Sequence, residues 1–171
     1  AIVWEPNEPN DKEKSFTYGQ LFEEVCRFAN VLKKLGVKKG DRVIIYIPMI
    51  PEAAISMLAC ARIGAVHSVV FAGFSANSLS DRINDCEAKV VITSDGNFRG
   101  NKTVPVKAVV DEAVKSCPSV KSILTVRRTS GNVEMMKGRE YWYHEEVKNV
   151  EEYCSAVEMN SDDRLVMFYT S

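Results

Sequence analysis

Two basic side chains, Arg99 and Lys102, stand three residues apart in the stretch SDGNFRGNKTVPVK, with Gly100 and Asn101 between them. Two cations beside exposed backbone N–H groups can hold a phosphate, because charge and peptide donors then converge on the same oxygens. A solvated, charged loop accounts for the same residues equally well. The stretch therefore predicts a candidate phosphate site, with a plain surface loop as the alternative.

A second candidate is the stretch FAGFS, in which Phe71, Ala72 and Gly73 precede Ser75, a residue type that caps helices. Small residues let a ligand approach the backbone, and the N-terminus of a following helix favours an anion. A simple turn from strand to helix is the alternative, and the spacing alone favours it. If both stretches follow strands of one parallel sheet, they predict an aromatic slot beside a basic patch, suited to a nucleotide.

The elements that must position these loops alternate between strand and helix. Thr17 and Gln20 form a capping-box pattern ahead of a helical stripe, which predicts an amphipathic helix over 18–35. Four short apolar runs without alternation then predict buried strands with helices between them, the last of these helices capped by Thr103. The runs are RVIIYIP, AVHSVVF, AKVVITS and KSILTVRR.

This pattern predicts the α/β class, with a mostly parallel sheet and helices on both of its faces. Residues 127–162 are polar, with a short helix expected near 141–150, and RLVMFYT at 164–170 reads as a fifth buried strand. Thr170 and Ser171 follow that strand, and hydroxyl residues in this position begin phosphate loops when glycines come after them.

Composition narrows the function classes. A net charge of −1 argues against binding to nucleic acid or to a membrane surface, and no apolar run is long enough to span a bilayer. The five cysteines are widely spaced, which favours unpaired thiols in a reducing, cytoplasmic setting. No metal-ligand spacing, nucleophile triad or carboxylate pair is found, so no catalytic or metal-binding residue is predicted. His67, inside an apolar strand, reads as a core histidine.

The stretch VCRFANVLKKLGVKKGDRVIIYIPMIPEAAISMLACARIGAVHSVVFAGFS resembles the N-terminal region of the AMP-forming acetyl-CoA synthetases, members of the adenylate-forming acyl-CoA synthetase superfamily. The similarity runs from Ala1 to Ser171, and MLACARIGAVHSVVFAGFS is similar to the acetyl and propionyl branch. The resemblance implies an enzyme that makes acetyl-CoA from acetate, ATP and CoA through acetyl-adenylate, with Mg²⁺ screening the phosphates and with AMP and pyrophosphate released.

In that family the strand matching LVMFYTS leads into a glycine-rich ATP phosphate loop. The resemblance therefore implies that residues 1–171 are the N-terminal portion of the AMP-binding large domain, ending at the start of that loop, with the C-terminal lid domain absent. By itself such a fragment is expected to be inactive.

The resemblance also assigns site residues. It places the CoA adenine against Phe71, Ala72 and Gly73, the CoA 3′-phosphate on the basic turn, and the start of the ATP loop at Thr170 and Ser171. The basic turn is made of Arg99, Gly100, Asn101 and Lys102.

Three positions depart from the family pattern: Lys102 replaces an arginine, Ala72 replaces a common glycine, and Arg164 stands where proline is frequent. Lys102 keeps the charge but loses the planar fork of an arginine. A propionyl-CoA synthetase and a non-catalytic nucleotide-binding or interaction module remain the alternatives.

Overall fold

A capping box starts the first helix, α1 (Tyr18–Lys34). The Gln20 N–H donates to the Thr17 hydroxyl at 3.2 Å, and the Thr17 N–H donates to Gln20 Oε1 at 2.8 Å. The chain leaves the helix at Gly36, whose φ of +79° is accessible to glycine without strain. The predicted first helix is confirmed.

The computed structural model describes residues 1–7 and 12–170, and within them it contains the following elements. The strands are β1 (Ile2–Trp4), β2 (Lys14–Phe16), β3 (Arg42–Ile45), β4 (Val66–Val69), β5 (Val90–Ser94), β6 (Asn97–Arg99), β7 (Lys102–Val104), β8 (Ser122–Val126) and β9 (Glu140–Trp142). The remaining helices are α2 (Pro51–Arg62), α3 (Ala76–Cys86), α4 (Val106–Ala113) and α5 (Tyr143–Glu146), and 3₁₀ turns follow at Val114–Ser116 and Val147–Asn149.

The central sheet has the strand order β4-β3-β5-β8-β9, and every neighbouring pair in it is parallel. The chain steps from β3 outward to β4 and then crosses back over β3 to reach β5. Two small antiparallel hairpins, β1–β2 and β6–β7, lie outside this sheet. The predicted parallel α/β class is confirmed.

Alternate residues of the strands enter two separate cores, one on each face of the sheet. Val43 and Ile45 of β3 pack with α1 and α2, whereas Ile44 packs with α3 and α4. The side-chain period of two in a strand requires this division, and it explains why the strands read as continuous apolar runs. Helices therefore cover both faces, as the sequence indicates.

The last apolar run is not the buried strand that the sequence predicts. His67 of β4 pairs with Val166 in a single parallel bridge, through His67 N–H to Leu165 O at 3.1 Å and Met167 N–H to His67 O at 2.9 Å. Phe168 beyond it is 80% exposed. The segment lies along the edge of the sheet with one neighbouring strand, so its other side has no strand beside it among the described residues, and Leu165 and Phe168 stay exposed.

Three further details differ from the sequence prediction. Thr103 does not cap α4; it lies in β7, and the helix follows Pro105 without a side-chain cap. The stretch that reads as a simple loop after β5 is the β6–β7 hairpin. Within the polar stretch, β9 precedes the predicted short helix, which forms as α5 and its 3₁₀ turn.

Candidate functional site

The two candidate loops leave the sheet at its carboxyl edge and on the same face. Residues 70–75 connect β4 to α3, and residues 95–105 connect β5 to α4, while the loop after β3 turns to the opposite face towards α2. Adjacent strands whose connections diverge create the crevice in which open α/β sheets bind ligands. Because β4 and β5 flank β3, the two loops start about 10 Å apart, two strand spacings.

The basic turn is the tip of the β6–β7 hairpin. Arg99 and Lys102 are directly paired across the two strands, with Gly100 and Asn101 as the two-residue turn. Gly100 has a φ of +56° and Asn101 has no positive φ, the pattern of a type II′ turn with glycine first. Directly opposed residues of a hairpin project on the same side, so the two cations lie on one face.

Neither cation of this turn forms an ion pair with any carboxylate of residues 1–7 or 12–170. Arg99 and Lys102 are both exposed. Like charges placed opposite each other destabilise a hairpin, and an anion between them removes that cost. The turn therefore presents two cations on one face, an electropositive notch whose charge suits a phosphate.

A buried carboxylate fixes the base of the hairpin. Asp95, only 3% exposed, accepts hydrogen bonds from four backbone N–H groups. The donors are Gly96 at 2.8 Å, Arg128 at 2.7 Å, Thr129 at 3.0 Å and Gly131 at 3.1 Å. These bonds tie the end of β5, from which the hairpin begins, to the loop that follows β8.

An arginine stack supports the same hairpin from the side. The Arg128 guanidinium lies 5.1 Å from the centre of the Phe98 ring in β6 and 4.8 Å from the Trp4 ring in β1. Trp4 in turn donates from Nε1 to the Met49 carbonyl at 3.0 Å, in the loop after β3. The first hairpin of the chain is thereby attached to the carboxyl edge of the sheet.

The Phe71–Ser75 loop presents an aromatic surface. Phe71 is 71% exposed and meets the Phe74 ring edge to face, with centroids 6.0 Å apart. A Cβ on Gly73 would lie 2.4 Å from the Phe71 ring, so the ring rests directly on the glycine. Buried Tyr46, just beyond β3, donates to the Phe74 carbonyl at 2.7 Å and holds the loop from below. Such an exposed ring on a short, anchored loop can stack against a planar base.

The segment before the predicted ATP loop is attached to the C-terminal half of α3. Tyr169 donates from its hydroxyl to Asp85 Oδ2 at 2.8 Å, and Thr170 is exposed. Burial and the neighbouring Asp85 carboxylate raise the pKa of the Tyr169 phenol, which keeps it a hydrogen-bond donor. Ser171, the other residue assigned to the start of the ATP loop, lies outside the described residues.

Sequence reasoning identified the tips of the loops and missed the residues that hold them. Asp95, Arg128 and Trp4 were not predicted, because their partners lie far away along the chain. One local signal was present for Asp95, since an acidic residue directly after a fully apolar strand and before a glycine requires buried partners.

The histidine and cysteine side chains that could do chemistry are not part of this site. His67 is buried in the sheet, and burial lowers the pKa of its imidazole. The five cysteines are all unpaired and buried, and burial raises the pKa of Cys60 to about 12. Residues 1–7 and 12–170 contain no group of three or more His, Cys, Asp or Glu side chains that could hold a metal ion. Across the same residues, no helix is both long enough and apolar enough to cross a membrane.

Comparison with known proteins gives a consistent result. A family model described as "AMP-binding enzyme" matches residues 1–171. The acetyl-coenzyme A synthetase of Parvibaculum lavamentivorans is 58% identical over 171 residues, and the match covers 100% of this chain and 26% of that protein. The corresponding proteins of Rubrobacter xylanophilus and Bdellovibrio bacteriovorus are 56% and 54% identical, with the same coverage of 100% and 26%. The chain thus spans about a quarter of the length of these curated relatives.

Proposed function

This chain belongs to the family of AMP-binding enzymes, and from that premise we propose that it is the N-terminal portion of the large domain of an acetyl-CoA synthetase. The enzyme joins acetate to ATP, giving acetyl-adenylate and pyrophosphate, and the thiol of CoA then displaces AMP. The activity is inferred from the names of the relatives. The role of residues 1–171 within that activity is inferred from the two loops at the carboxyl edge.

Those two loops form part of the binding site for the nucleotide end of CoA. The notch between Arg99 and Lys102, with the N–H groups of Gly100 and Asn101 at its tip, receives the 3′-phosphate. The adenine packs on the surface made by Phe71, Ala72 and Gly73. A base and a phosphate joined by one ribose span about the separation expected between the loops, roughly 10 Å.

The observation that most supports this proposal is the directly opposed Arg99–Lys102 pair without a carboxylate partner in the described chain. Like charges directly opposite each other in a hairpin are destabilising, and a bound anion offsets that cost. Arginine gives two-point contact with a phosphate, and lysine adds a second charge without that geometry.

Of the other substrates, only ATP is proposed to contact residues 1–171, and only at residues 170 and 171. Thr170 and Ser171 begin the loop that holds the ATP phosphates, whereas the acetate and adenylate pockets lie in other parts of the enzyme. Mg²⁺ belongs to the proposed reaction as a counter-charge on the ATP phosphates. The described residues offer no ligand cluster for it, so none of them is assigned to the metal.

The two alternatives are not favoured. The relatives described above are all acetyl-CoA synthetases by name, which gives no support for a propionyl-specific enzyme or for a non-catalytic module. We also place the enzyme in the cytoplasm, on the grounds of its five unpaired cysteines.

The test is the Arg99→Ala variant of the full-length enzyme. The KM for CoA should rise about five- to tenfold, just below the range for a lost charged hydrogen bond because the residue is exposed. Acetate-dependent ATP–pyrophosphate exchange, which does not use CoA, should survive. The wild-type preference for CoA over 3′-dephospho-CoA should fall by about the same factor in the variant, since Lys102 and the two N–H groups remain.

Lys121→Ala is the matched control, because Lys121 is an exposed cation at the amino edge of the sheet, next to β8. It should leave the KM for CoA unchanged. An equal loss of exchange and of CoA use in Arg99→Ala would show that the assigned role is wrong, as would an undiminished preference for the 3′-phosphate.

A further inference from the structure

Arg82 of α3 contacts two aromatic rings that come from different segments of the chain. Its guanidinium carbon is 4.8 Å from the centre of the Phe74 ring and 5.4 Å from the centre of the Tyr169 ring. Phe74 belongs to the proposed CoA adenine loop, and Tyr169 directly precedes the start of the proposed ATP loop. One side chain therefore touches both nucleotide-binding segments.

The guanidinium is held in place by its own helix. Arg82 Nη1 donates to the Ser78 carbonyl at 2.8 Å and to the Ser78 hydroxyl at 2.5 Å. In the other direction, the Tyr169 hydroxyl donates to Asp85 Oδ2 at 2.8 Å and lies 3.2 Å from the Arg82 carbonyl, which shares the same proton. Tyr169 is thus attached to α3 through both the side chain and the backbone of the same arginine.

These contacts are not needed to pack α3 onto the sheet. The residues of α3 that enter the core are Leu79, Ser80, Ile83 and Cys86. Arg82 is partly exposed and lies beside this face. A helix with its apolar face intact keeps its position when a flanking side chain changes, so the contacts of Arg82 can be altered without removing α3 from the sheet.

We propose that Arg82 is a positioning residue that sets the placement of the CoA adenine loop relative to the ATP phosphate loop. A planar, rigid guanidinium can stack on two rings and bond along its edge at the same time, which the flexible ammonium of lysine cannot do. The inference rests on the proposed function, since that function assigns CoA to one loop and ATP to the other. It adds the claim that a single residue outside both loops controls how well each of them binds.

The experiment uses Arg82→Lys in the full-length enzyme, which keeps the charge and removes the planar stack. The KM for CoA and the KM for ATP should both rise about two- to fivefold, the size of one cation–π contact at a partly exposed site, with the KM for acetate unchanged. Hydrogen exchange should become faster in peptides that cover residues 70–75 and 166–170.

Arg62→Lys is the matched control. Arg62 lies 4.7 Å from the Phe22 ring on the opposite face of the sheet, so the chemical change is the same and the location is different. It should change neither KM. If replacing a stacked arginine only lowers stability, both variants should show it. A rise in KM that occurs in Arg82→Lys alone is therefore not a stability effect.

A double-mutant cycle tests the connection itself. Tyr169→Leu removes one of the two rings and should raise the KM for ATP; adding Arg82→Lys should then raise that KM little further, while the KM for CoA still rises. If Arg82→Lys does not fold, Ser78→Ala loosens the guanidinium without altering either ring and should shift both KM values in the same direction. A change in only one KM, or in neither, overturns the proposal.

The two proposals fail differently. Absence of acetate-dependent ATP–pyrophosphate exchange in the wild-type enzyme would reject the proposed function. Normal exchange and CoA use, together with an Arg82→Lys variant whose KM values match the wild type, would reject the role of Arg82 alone.

Discussion

Arg99 and Lys102 face each other across the two-residue turn of the β6–β7 hairpin, so two like charges share one side of a narrow ribbon. The arrangement costs stability when the notch is empty and is favourable when an anion occupies it. Binding and folding therefore make opposite demands on Lys102, which gives a clear prediction.

Lys102→Glu should stabilise the protein and weaken CoA binding. An opposite-charge pair replaces a like-charge pair, so the free energy of unfolding should rise by about 0.5 kcal/mol, while the KM for CoA should rise at least fivefold because the notch becomes neutral. Denaturant unfolding and CoA kinetics measure the two effects. Lys102→Arg keeps the charge and serves as the control, with no rise in the KM for CoA. A variant that is less stable and also binds CoA normally would contradict this prediction.

Asp95→Asn should destabilise the hairpin base. The amide replaces one acceptor oxygen with an N–H₂ group that faces backbone donors, leaving at least one buried N–H unsatisfied at a cost of about 1–3 kcal/mol. The melting temperature should fall and the KM for CoA should rise, because Arg99 is displaced. Asp162→Asn, at an exposed position, is the matched control and should change neither. Unchanged melting in Asp95→Asn would show that the four N–H bonds are dispensable.

Gly73→Ala should impair CoA binding with little effect on stability. The added Cβ meets the Phe71 ring at 2.4 Å and forces it aside, but that ring is exposed and can turn into solvent. The KM for CoA should increase about threefold or more, as expected for disturbed stacking on a base. Gly19→Ala inside α1 is the control, since its nearest neighbour is at 3.9 Å; it should raise stability slightly and leave CoA binding alone. Normal CoA kinetics in Gly73→Ala would remove Phe71 from the site.

His67 should make the protein less stable in mild acid. Burial lowers the pKa of the folded-state imidazole below its ordinary value of 6.5, so the unfolded chain binds a proton more readily. The contribution of neutral His67 to the free energy of unfolding is fully present above about pH 6.5. It is lost as the pH falls from that value through the lower pKa of the folded state. NMR titration of the imidazole signals measures the pKa. His144→Gln leaves His67 as the one histidine of the 171-residue chain and assigns its signal. A pKa at or above about 6.5 would contradict the prediction.

The large elements of the fold are predictable because their signals are local. Thr17 and Gln20 mark the start of α1, Ser75 accepts from the Ser78 N–H at the start of α3, and continuous apolar runs mark the parallel strands. The small hairpins escape prediction because three-residue strands contain too few positions to show a period of two. The run at 164–170 is not the buried strand that its composition predicts, because burial of an apolar run depends on its neighbours in space, which its own residues do not reveal.

The candidate site divides in the same way. The cations at 99 and 102 and the small residues of FAGFS are visible because their spacing is short. Asp95 and Arg128 are 33 residues apart, and Arg82 meets Tyr169 across 87 residues, so these pairs appear only once the sheet has formed. The residues that hold the two loops in place are therefore brought together by the fold and are not part of any local sequence motif.

The Trp4 ring is in contact with the Arg128 guanidinium, which also touches Phe98 in the hairpin proposed to bind the phosphate. The fluorescence of an indole changes when a nearby charge moves. Trp4 is separated from the proposed CoA site by the Arg128 side chain, so its intrinsic fluorescence should respond to CoA binding. Titrating unlabelled enzyme with CoA while following tryptophan fluorescence would then read out occupancy directly, with Trp142 on β9 as the second emitter of the 171 residues to be accounted for.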